Sequence, residues 1–343
     1  NTPPPASASP PLSDALSWIR RHHPGERYRF PLGWHQQTTS SALLLTAAFL
    51  NDTYHMLITG QSRSGKDTLA LSILIALAVQ HPPDVVQFCI IDGKGLDFDA
   101  FAGKAHTWHL AFKPGEVAPA LARLSAERER RTEVLRAARV SKWESYPHND
   151  LPLLIVYVSE LALLKSATGQ SNLTDWLNQE LAAGAAFGIR YIVATQTASN
   201  FETRWRSQIN LYVAAFQPSQ SQDQPNTGLT TGEIRAAGGT PPSALPPPPG
   251  GAGLFTACWG RRAATVRAGH LSDEERQAWL ALLPDGEPPA PEPPPAEPPA
   301  ADTEATAATD ADGADEEDPV YAQIRAMAAE GISRNQMVKT LGG

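Results

Sequence analysis

Residues Tyr54 to Thr68 read YHMLITGQSRSGKDT and are the most informative part of the sequence about the fold. It begins as a short apolar run and continues with the spacing G-x-x-x-x-G-K between Gly60 and Lys66. A loop of this kind wraps phosphate oxygens with its backbone N–H groups when a strand precedes it and a helix follows it. The apolar run Leu69–Val79 supplies the helix. The sequence therefore predicts a strand, a phosphate-binding loop and a helix in succession.

The loop residues predict a nucleotide site. Lys66 would reach the β- and γ-phosphates of a bound nucleotide, and the first turn of the following helix would add a favourable dipole. We therefore expect ATP and Mg²⁺ as cofactors. The loop residues expected to contact the nucleotide are Gly60, Gln61, Ser62, Arg63, Ser64, Gly65, Lys66, Asp67 and Thr68.

A second apolar run, Leu153–Val158, ends in Ser159 and Glu160. Nucleotide-hydrolysing proteins with such a loop usually carry a magnesium-associated Asp followed by a catalytic Glu at this point. Glu160 is therefore the predicted catalytic base that polarises the attacking water, while a serine occupies the magnesium position.

The magnesium positions depart from the usual pattern. The residue after the loop lysine is normally Ser or Thr, whose hydroxyl binds Mg²⁺, but here it is Asp67. One interpretation is that hydroxyl and carboxylate have changed places, so that Asp67 and Ser159 hydrogen-bond to each other and hold the metal. The other is that the site no longer hydrolyses ATP, because an unscreened carboxylate repels phosphates. The residues alone leave both interpretations open.

Apolar β-type runs alternate with helical patterns along the chain. The predicted strands are Tyr54–Thr59, Val85–Ile91, Leu153–Val158, Arg190–Thr195 and Leu211–Phe216, and the predicted helices are Lys66–Val79, Val117–Val140 and Leu173–Phe187. Near-continuous apolar strands separated by helices predict an α/β fold, with a mainly parallel sheet covered by helices on both faces. Two further runs, Gly253–Trp259 and Ala263–Val266, predict an added strand pair.

The acidic residues are concentrated in one segment. The 343 residues carry a net charge of −8, but twelve of the 36 acids lie between Pro284 and Pro319, where there is no base. The rest of the chain therefore has 28 bases and 24 acids, a net charge of +4, which permits a nucleic-acid partner. A segment of Pro, Ala and acids cannot bury a core and predicts an extended linker.

The composition divides the chain into four parts. We predict a disordered N-terminal segment (1–12), a compact domain (13–283), the acidic Pro/Ala-rich linker (284–319) and a small helical piece (320–343). The last part has the pattern of the first two helices of a helix-turn-helix or winged-helix domain.

Several classes of protein are excluded. The two cysteines, Cys89 and Cys258, lie in apolar runs and are predicted to be buried free thiols. Two cysteines in a chain of 343 residues exclude a disulfide-built secreted domain. No apolar run reaches the ~20 residues that a membrane helix needs. We expect a cytoplasmic location and no membrane contact by this chain, with a tether upstream of Asn1 left open.

Five segments in order carry a family resemblance. They are HMLITGQSRSGKD (55–67), FCIIDGKGLDF (88–98), LPLLIVYVSELALL (151–164), FGIRYIVATQTAS (187–199) and INLYVAAFQPSQSQD (209–223). Together they resemble the motor domain of the FtsK/SpoIIIE family of DNA translocases, within the FtsK–HerA group. The resemblance extends from about Pro31 to Leu283.

This resemblance implies a RecA-like core that assembles into a hexameric ring, with ATP bound between subunits and double-stranded DNA in the pore. It places Thr195 and Gln196 at the nucleotide-sensing position, where Gln196 would read the γ-phosphate or the attacking water. It places Lys94 near a DNA-facing loop. Arg204 or Arg206 would supply a charge to the site of the neighbouring subunit, because the usual basic residue is missing from the preceding helix.

The implied function is ATP-dependent translocation of plasmid, phage or chromosomal DNA. The enzyme would be an ATPase, impaired if Asp67 and Ser159 do not hold the metal. The alternatives are a ring subunit or scaffold that binds nucleotide without hydrolysing it and works with an active paralogue or partner, and a related protein-export motor.

Overall fold

The computed structural model describes residues 10–36, 43–93, 97–148, 150–160, 164, 170–199 and 203–286. The strands are β1 (Arg29–His35), β2 (Leu44–Ala48), β3 (Met56–Thr59), β4 (Val86–Asp92), β5 (Thr107–Ala111), β6 (Leu153–Ser159), β7 (Ile189–Thr195), β8 (Leu211–Ala214), β9 (Leu254–Trp259) and β10 (Arg262–Arg267). The helices are α1 (Leu12–His22), α2 (Lys66–Gln80), α3 (Pro114–Ala137), α4 (Gln170–Gly184), α5 (Thr203–Arg206), α6 (Asp223–Thr227), α7 (Thr231–Ala236) and α8 (Asp273–Ala281).

All ten strands form one sheet, in the order β2-β1-β10-β9-β8-β3-β7-β6-β4-β5. The six strands from β8 to β5 pair in parallel. The remaining neighbours pair antiparallel. Because β7 lies between β3 and β6, the carboxyl ends of these three strands meet at one edge of the sheet, which is where the loop after β3 lies.

Both faces of the parallel part are buried. Alternate residues of β3 point to opposite faces: Met56 and Ile58 join the apolar core formed with α2, whereas Leu57 joins the core that contains residues of α3 and α4. Burial on both faces explains why these strands are near-continuous apolar runs. The predicted α/β class, with helices on both faces of a mainly parallel sheet, is confirmed.

The antiparallel extension was only partly predicted. The expected strand pair is confirmed as β9 and β10, joined by a tight turn at Gly260 and Arg261. β1 and β2 were missed because β1 contains Pro31 and Gly33, between which the register shifts. Proline and glycine within a run argue against a strand, although bulges tolerate both. β5 was missed because four of its five residues are only partly buried, which gives no apolar pattern.

Three other expectations concern the whole chain. Cys89 and Cys258 are buried free thiols, as predicted. In the part of the chain that the structure describes, no helix is both long and apolar enough to cross a membrane. All described elements lie in the compact unit that ends at Pro288. The predicted linker and C-terminal piece fall almost entirely outside the described residues and stay predictions, as does the N-terminal segment.

Buried His55 makes the stability of this fold dependent on pH. Its Nε2 contacts the carbonyl oxygen of Leu181 at 2.9 Å, and its Nδ1 accepts the backbone N–H of Tyr191 at 3.1 Å. Burial, and secondarily the charge of Arg190, lower the pKa of His55 to about 3. Because the unfolded histidine titrates near pH 6.5, this site favours the folded state above that pH and loses its contribution as the pH falls towards 3.

We expect His55 to account for a loss of about 2 kcal/mol in the free energy of unfolding between pH 7 and pH 5. Urea denaturation of the wild type and of His55→Gln at both pH values measures this loss. The variant should show a shallower pH dependence, whereas His22→Gln, at an exposed position, should match the wild type. Equal pH dependence in the wild type and His55→Gln would contradict the expectation.

Candidate nucleotide-binding site

The loop between β3 and α2 has the backbone shape that the G-x-x-x-x-G-K spacing predicts. Gly65 has φ +90° and forms the N-cap of α2, a conformation that favours glycine. A side chain at Gly60 would place its Cβ 2.5 Å from Ser64 Oγ and 2.7 Å from Ala215 Cβ. The backbone N–H of Gly253 donates to the Ser64 carbonyl at 2.9 Å and so fixes the loop from the far side. Both glycines are therefore required by the local geometry.

Lys66 is the first residue of α2, and its side chain is almost completely buried. Its ammonium Nζ lies 3.3 Å from Asp67 Oδ2 and 3.9 Å from Glu160 Oε2. The structure thus brings together the predicted phosphate lysine and the predicted catalytic base, although 94 positions separate them in the sequence. The carboxylates of Asp67 and Glu160 thus hold the ammonium group of Lys66 at the place where phosphates would bind.

Asp67 has a hydroxyl partner other than the one expected. Its Oδ1 accepts a hydrogen bond from the Tyr157 hydroxyl at 3.3 Å. One of the two interpretations predicts a hydrogen bond between Asp67 and Ser159, and the structure does not contain it: among the described residues, the Ser159 Oγ is buried without a hydrogen bond to Asp67. The reason is geometric, because Tyr157 lies two residues before Ser159 on the same strand face, and its longer side chain reaches the first turn of α2.

Tyr157 stays protonated at this contact. It is completely buried in β6. Burial, followed by the negative charge of Asp67, raises the pKa of Tyr157 well above its ordinary value. A neutral phenol donates its proton, so the carboxylate of Asp67 is the acceptor. Sequence reasoning missed Tyr157, because an aromatic residue in an apolar strand has the pattern of an ordinary core residue.

The carboxyl end of β6 carries the remaining catalytic candidates. Ser159 ends the strand, Glu160 follows it, and both are buried. Glu160 has φ +52°, a left-handed conformation that costs a non-glycine residue about 1–3 kcal/mol and is concentrated at functional sites. Asp92, at the end of β4, lies beside Ser159 in the strand register and is also buried. We did not predict Asp92, although its position at the end of an apolar parallel strand is the signal that could have found it.

Several polar atoms around the loop are buried without a hydrogen-bond partner. Within the described residues, no hydrogen bond is made by Thr59 Oγ1, Ser64 Oγ, Ser159 Oγ or Glu160 Oε2. An unsatisfied buried polar group costs about 1–3 kcal/mol, so it calls for a specific explanation. Four such atoms around one loop indicate a site built to receive a polar ligand.

The residues present fit a divalent cation accompanied by phosphates. Among the described residues, no group of three or more His, Cys, Asp or Glu side chains is arranged to hold a metal by itself. Mg²⁺, however, is usually held by one or two protein oxygens together with substrate phosphates and water. Asp67 supplies a carboxylate and Ser159 a buried hydroxyl, both at the edge of the sheet where the phosphate loop lies. These are the kinds of protein oxygen that such a Mg²⁺ site needs.

A cleft of about 430 Å³ opens beside the phosphate loop, and its size suits a small ligand. Its lining includes Lys66 and Asp67, together with Leu71 of α2 and Arg276 of α8. Arg276 pairs with Asp273 at 3.1 Å. Sequence reasoning missed the contribution of α8, because no local pattern shows that it packs here. Two other clefts, of about 410 and 590 Å³, contain none of the predicted site residues.

The end of β7 is attached to the phosphate loop through its backbone. The N–H of Gly60 lies 3.3 Å from the Thr195 carbonyl and 3.1 Å from that of Gln196. Thr195 is buried, whereas the Gln196 side chain is exposed. Gln217 Nε2 donates to the Gln196 carbonyl at 3.1 Å and fixes the turn. The predicted sensing pair therefore lies next to the phosphate loop.

The remaining loop and interface candidates differ in exposure. Ser62, Arg63 and Thr68 are exposed, and Gln61 and Asp67 are partly buried. In α5, Arg204 is exposed, whereas Arg206 donates through Nη1 to the Pro225 carbonyl at 3.0 Å. Lys94 lies outside the described residues, so its predicted DNA contact stays a prediction.

Comparison with known proteins gives a family match and several similar sequences. Residues 44–199 match the model of the FtsK/SpoIIIE family. The chain is 28% identical over 202 residues to the DNA translocase FtsK of Bacillus cereus, covering 55% of this chain and 25% of that protein. It is 31% identical over 153 residues to the DNA translocase FtsK of Helicobacter pylori, covering 42% of this chain and 18% of that protein. The chain thus spans a quarter or less of these two curated relatives.

Solved structures show the same fold. The cytoplasmic domain of the type VII secretion ATPase EccC from Thermomonospora curvata superposes with a TM-score of 0.67 at 20% identity, covering 83% of this chain and 35% of that one. The pCW3 conjugation coupling protein TcpA, solved with ATPγS, gives a TM-score of 0.61 at 17% identity, covering 81% and 74%. These likenesses establish the P-loop ATPase fold alone. The sequence match places residues 44–199 of this chain in the FtsK/SpoIIIE family.

Proposed function

We propose that this chain is an ATP-dependent motor that moves double-stranded DNA. The observation that carries the proposal is the meeting of Lys66 and Glu160, 3.9 Å apart, at the phosphate loop of an FtsK/SpoIIIE-family domain. The curated relatives named DNA translocase FtsK support DNA as the cargo. The structure of TcpA with ATPγS supports a nucleoside triphosphate as the ligand of this fold.

In this proposal, each side chain of the site has its own role at the bound nucleotide. When phosphates enter, Lys66 would exchange its contact with Asp67 for the β- and γ-phosphates, to which an ammonium is well suited. Asp67 and Ser159 would hold Mg²⁺, which neutralises charge on the phosphates when it is bound. Glu160 would orient the attacking water and accept its proton. Gln196, exposed next to the loop, would contact the γ-phosphate or that water.

The complete site needs a second copy of the chain. In the proposed hexameric ring, each nucleotide lies between two subunits and receives a positive charge from the neighbour. Arg204 is the better candidate for that charge, because it is exposed, whereas Arg206 is engaged by the Pro225 carbonyl. An arginine supplied in this way can raise the rate by several powers of ten, because it stabilises charge in the transition state.

DNA would be held through its phosphates. A motor that moves along any sequence requires contacts that carry no base information, and Lys or Arg contacts to phosphates meet that requirement. We propose Lys94 as one such contact. The net charge of +4 outside the acidic segment is compatible with a polyanionic partner.

One observation favours a slower enzyme. Lys66 is already paired with Asp67, so a nucleotide must compete with a carboxylate that most sites of this kind lack. A ring subunit that binds ATP but depends on an active partner for hydrolysis would have this arrangement. The hydrolysis rate therefore distinguishes the two functions.

Steady-state ATP hydrolysis by the purified chain, with and without linear double-stranded DNA of several kilobases, tests the proposal. We expect turnover that rises when DNA is added. Single-stranded DNA and an acidic protein serve as controls, because a protein-export motor would not respond selectively to duplex DNA. ATP binding without turnover in any condition would contradict the motor and favour the partner-dependent subunit.

A further inference from the structure

The contacts of the Asp67 carboxylate include one to each of its oxygens. Lys66 Nζ lies 3.3 Å from Oδ2, and the Tyr157 hydroxyl lies 3.3 Å from Oδ1. Tyr157 cannot move freely, because it is fully buried and its ring packs against Phe98 with the centroids 4.5 Å apart. The tyrosine is thus a fixed support, whereas the lysine is a flexible side chain that serves the phosphates.

This difference matters once a nucleotide binds. In the proposed function Lys66 turns towards the phosphates, which removes its contact with Asp67 Oδ2 as phosphate charge arrives next to the carboxylate. A carboxylate next to phosphates repels them unless a cation lies between the two. The hydrogen bond from Tyr157 would keep Oδ1 on the β6 side and leave Oδ2 available to a cation.

We propose that Tyr157 is a positioning residue, which orients Asp67 towards the divalent cation that accompanies the nucleotide. The inference rests on the proposed nucleotide-binding function. Tyr157 touches neither the nucleotide nor the metal and acts through Asp67 alone. It takes the part that one interpretation of the sequence assigned to Ser159, that of the hydroxyl partner of Asp67.

The test is the effect of Mg²⁺ on nucleotide affinity in Tyr157→Phe. Fluorescence titration with a ribose-labelled ATP analogue gives the affinity in excess EDTA and in excess Mg²⁺, without reference to hydrolysis. We expect Mg²⁺ to strengthen binding by the wild type, and this strengthening to fall about tenfold in Tyr157→Phe, as for the loss of a hydrogen bond to a charged group. The affinity in EDTA should be unchanged.

Two further variants separate positioning from packing. Tyr191→Phe removes another fully buried hydroxyl that donates to a carboxylate, that of Glu180 at 3.1 Å, so it should keep the full Mg²⁺ effect. In the Asp67→Ser background the carboxylate is gone, so Tyr157→Phe should cause no further loss. Non-additivity of this kind is the signature of a residue that acts through its partner.

The outcomes are distinguishable. An unchanged Mg²⁺ effect in Tyr157→Phe overturns this inference alone. An equal loss in Tyr191→Phe, or an additive loss in the double variant, also overturns it, because the effect would then come from packing. Failure of the wild type to bind the analogue in both conditions overturns the proposed function and this inference with it.

Discussion

Lys66→Ala is expected to lower the affinity for ATP by about 100-fold or more. The Lys66 ammonium lies 3.3 Å from Asp67 Oδ2 and 3.9 Å from Glu160 Oε2, at the end of the phosphate loop. Hydrogen bonds to charged groups contribute about 1.5–3 kcal/mol each, so two phosphate contacts account for a loss of this size. Isothermal titration with a slowly hydrolysed ATP analogue measures it.

Two controls accompany this variant. Lys113→Ala removes a lysine that is 81% exposed and paired with a surface glutamate, so it should leave ATP affinity unchanged. Because Lys66 is buried between two carboxylates, the alanine variant also needs a thermal denaturation curve to show that it is folded. A folded Lys66→Ala that binds ATP as tightly as the wild type would exclude the phosphate-loop assignment.

Glu160→Gln is expected to reduce ATP turnover by about 10²–10⁴-fold while ATP remains bound. Glutamine has the same shape and the same backbone cost at φ +52°, so the variant removes the proton acceptor and little else. Binding should be retained or become tighter, because one negative charge near the phosphates is lost. Steady-state turnover and equilibrium binding, measured on the same preparation, give both values.

Glu129→Gln is the matched control for this change, since Glu129 is an exposed glutamate on α3. Its turnover should equal that of the wild type. Retained turnover in Glu160→Gln would show that another group takes the proton, and the buried Asp92 beside Ser159 would then be the next residue to test.

The central part of the fold was predictable because its strands are buried on both faces. Such strands are continuous apolar runs, and the loop after β3 identifies the first of them. The antiparallel extension was less predictable, because Pro31 and Gly33 interrupt β1 and because β5 is only partly buried. Sequence patterns report burial, so elements at the margins of a sheet give a weak signal.

Individual residues of the site could be predicted from the sequence, but the contacts between them could not. Lys66 and Glu160 follow from motif and strand end, and the structure brings them together. The hydrogen-bond partner of Asp67 could not be predicted from the sequence, because it depends on which side chain of β6 is long enough to reach the first turn of α2. Tyr157 and Ser159 share one strand face, and only the structure shows that the phenol makes the contact. The contribution of Arg276 likewise depends on the packing of α8.

Displacement of a third strand from duplex DNA is a direct test of whether this chain moves along DNA. A labelled oligonucleotide is bound as a triplex near one end of a linear duplex, and its release is followed over time with the full chain, ATP and Mg²⁺. We predict release that requires ATP hydrolysis and is absent with Lys66→Ala. No release by a preparation that hydrolyses ATP in the presence of DNA would contradict the proposal that this chain moves along DNA.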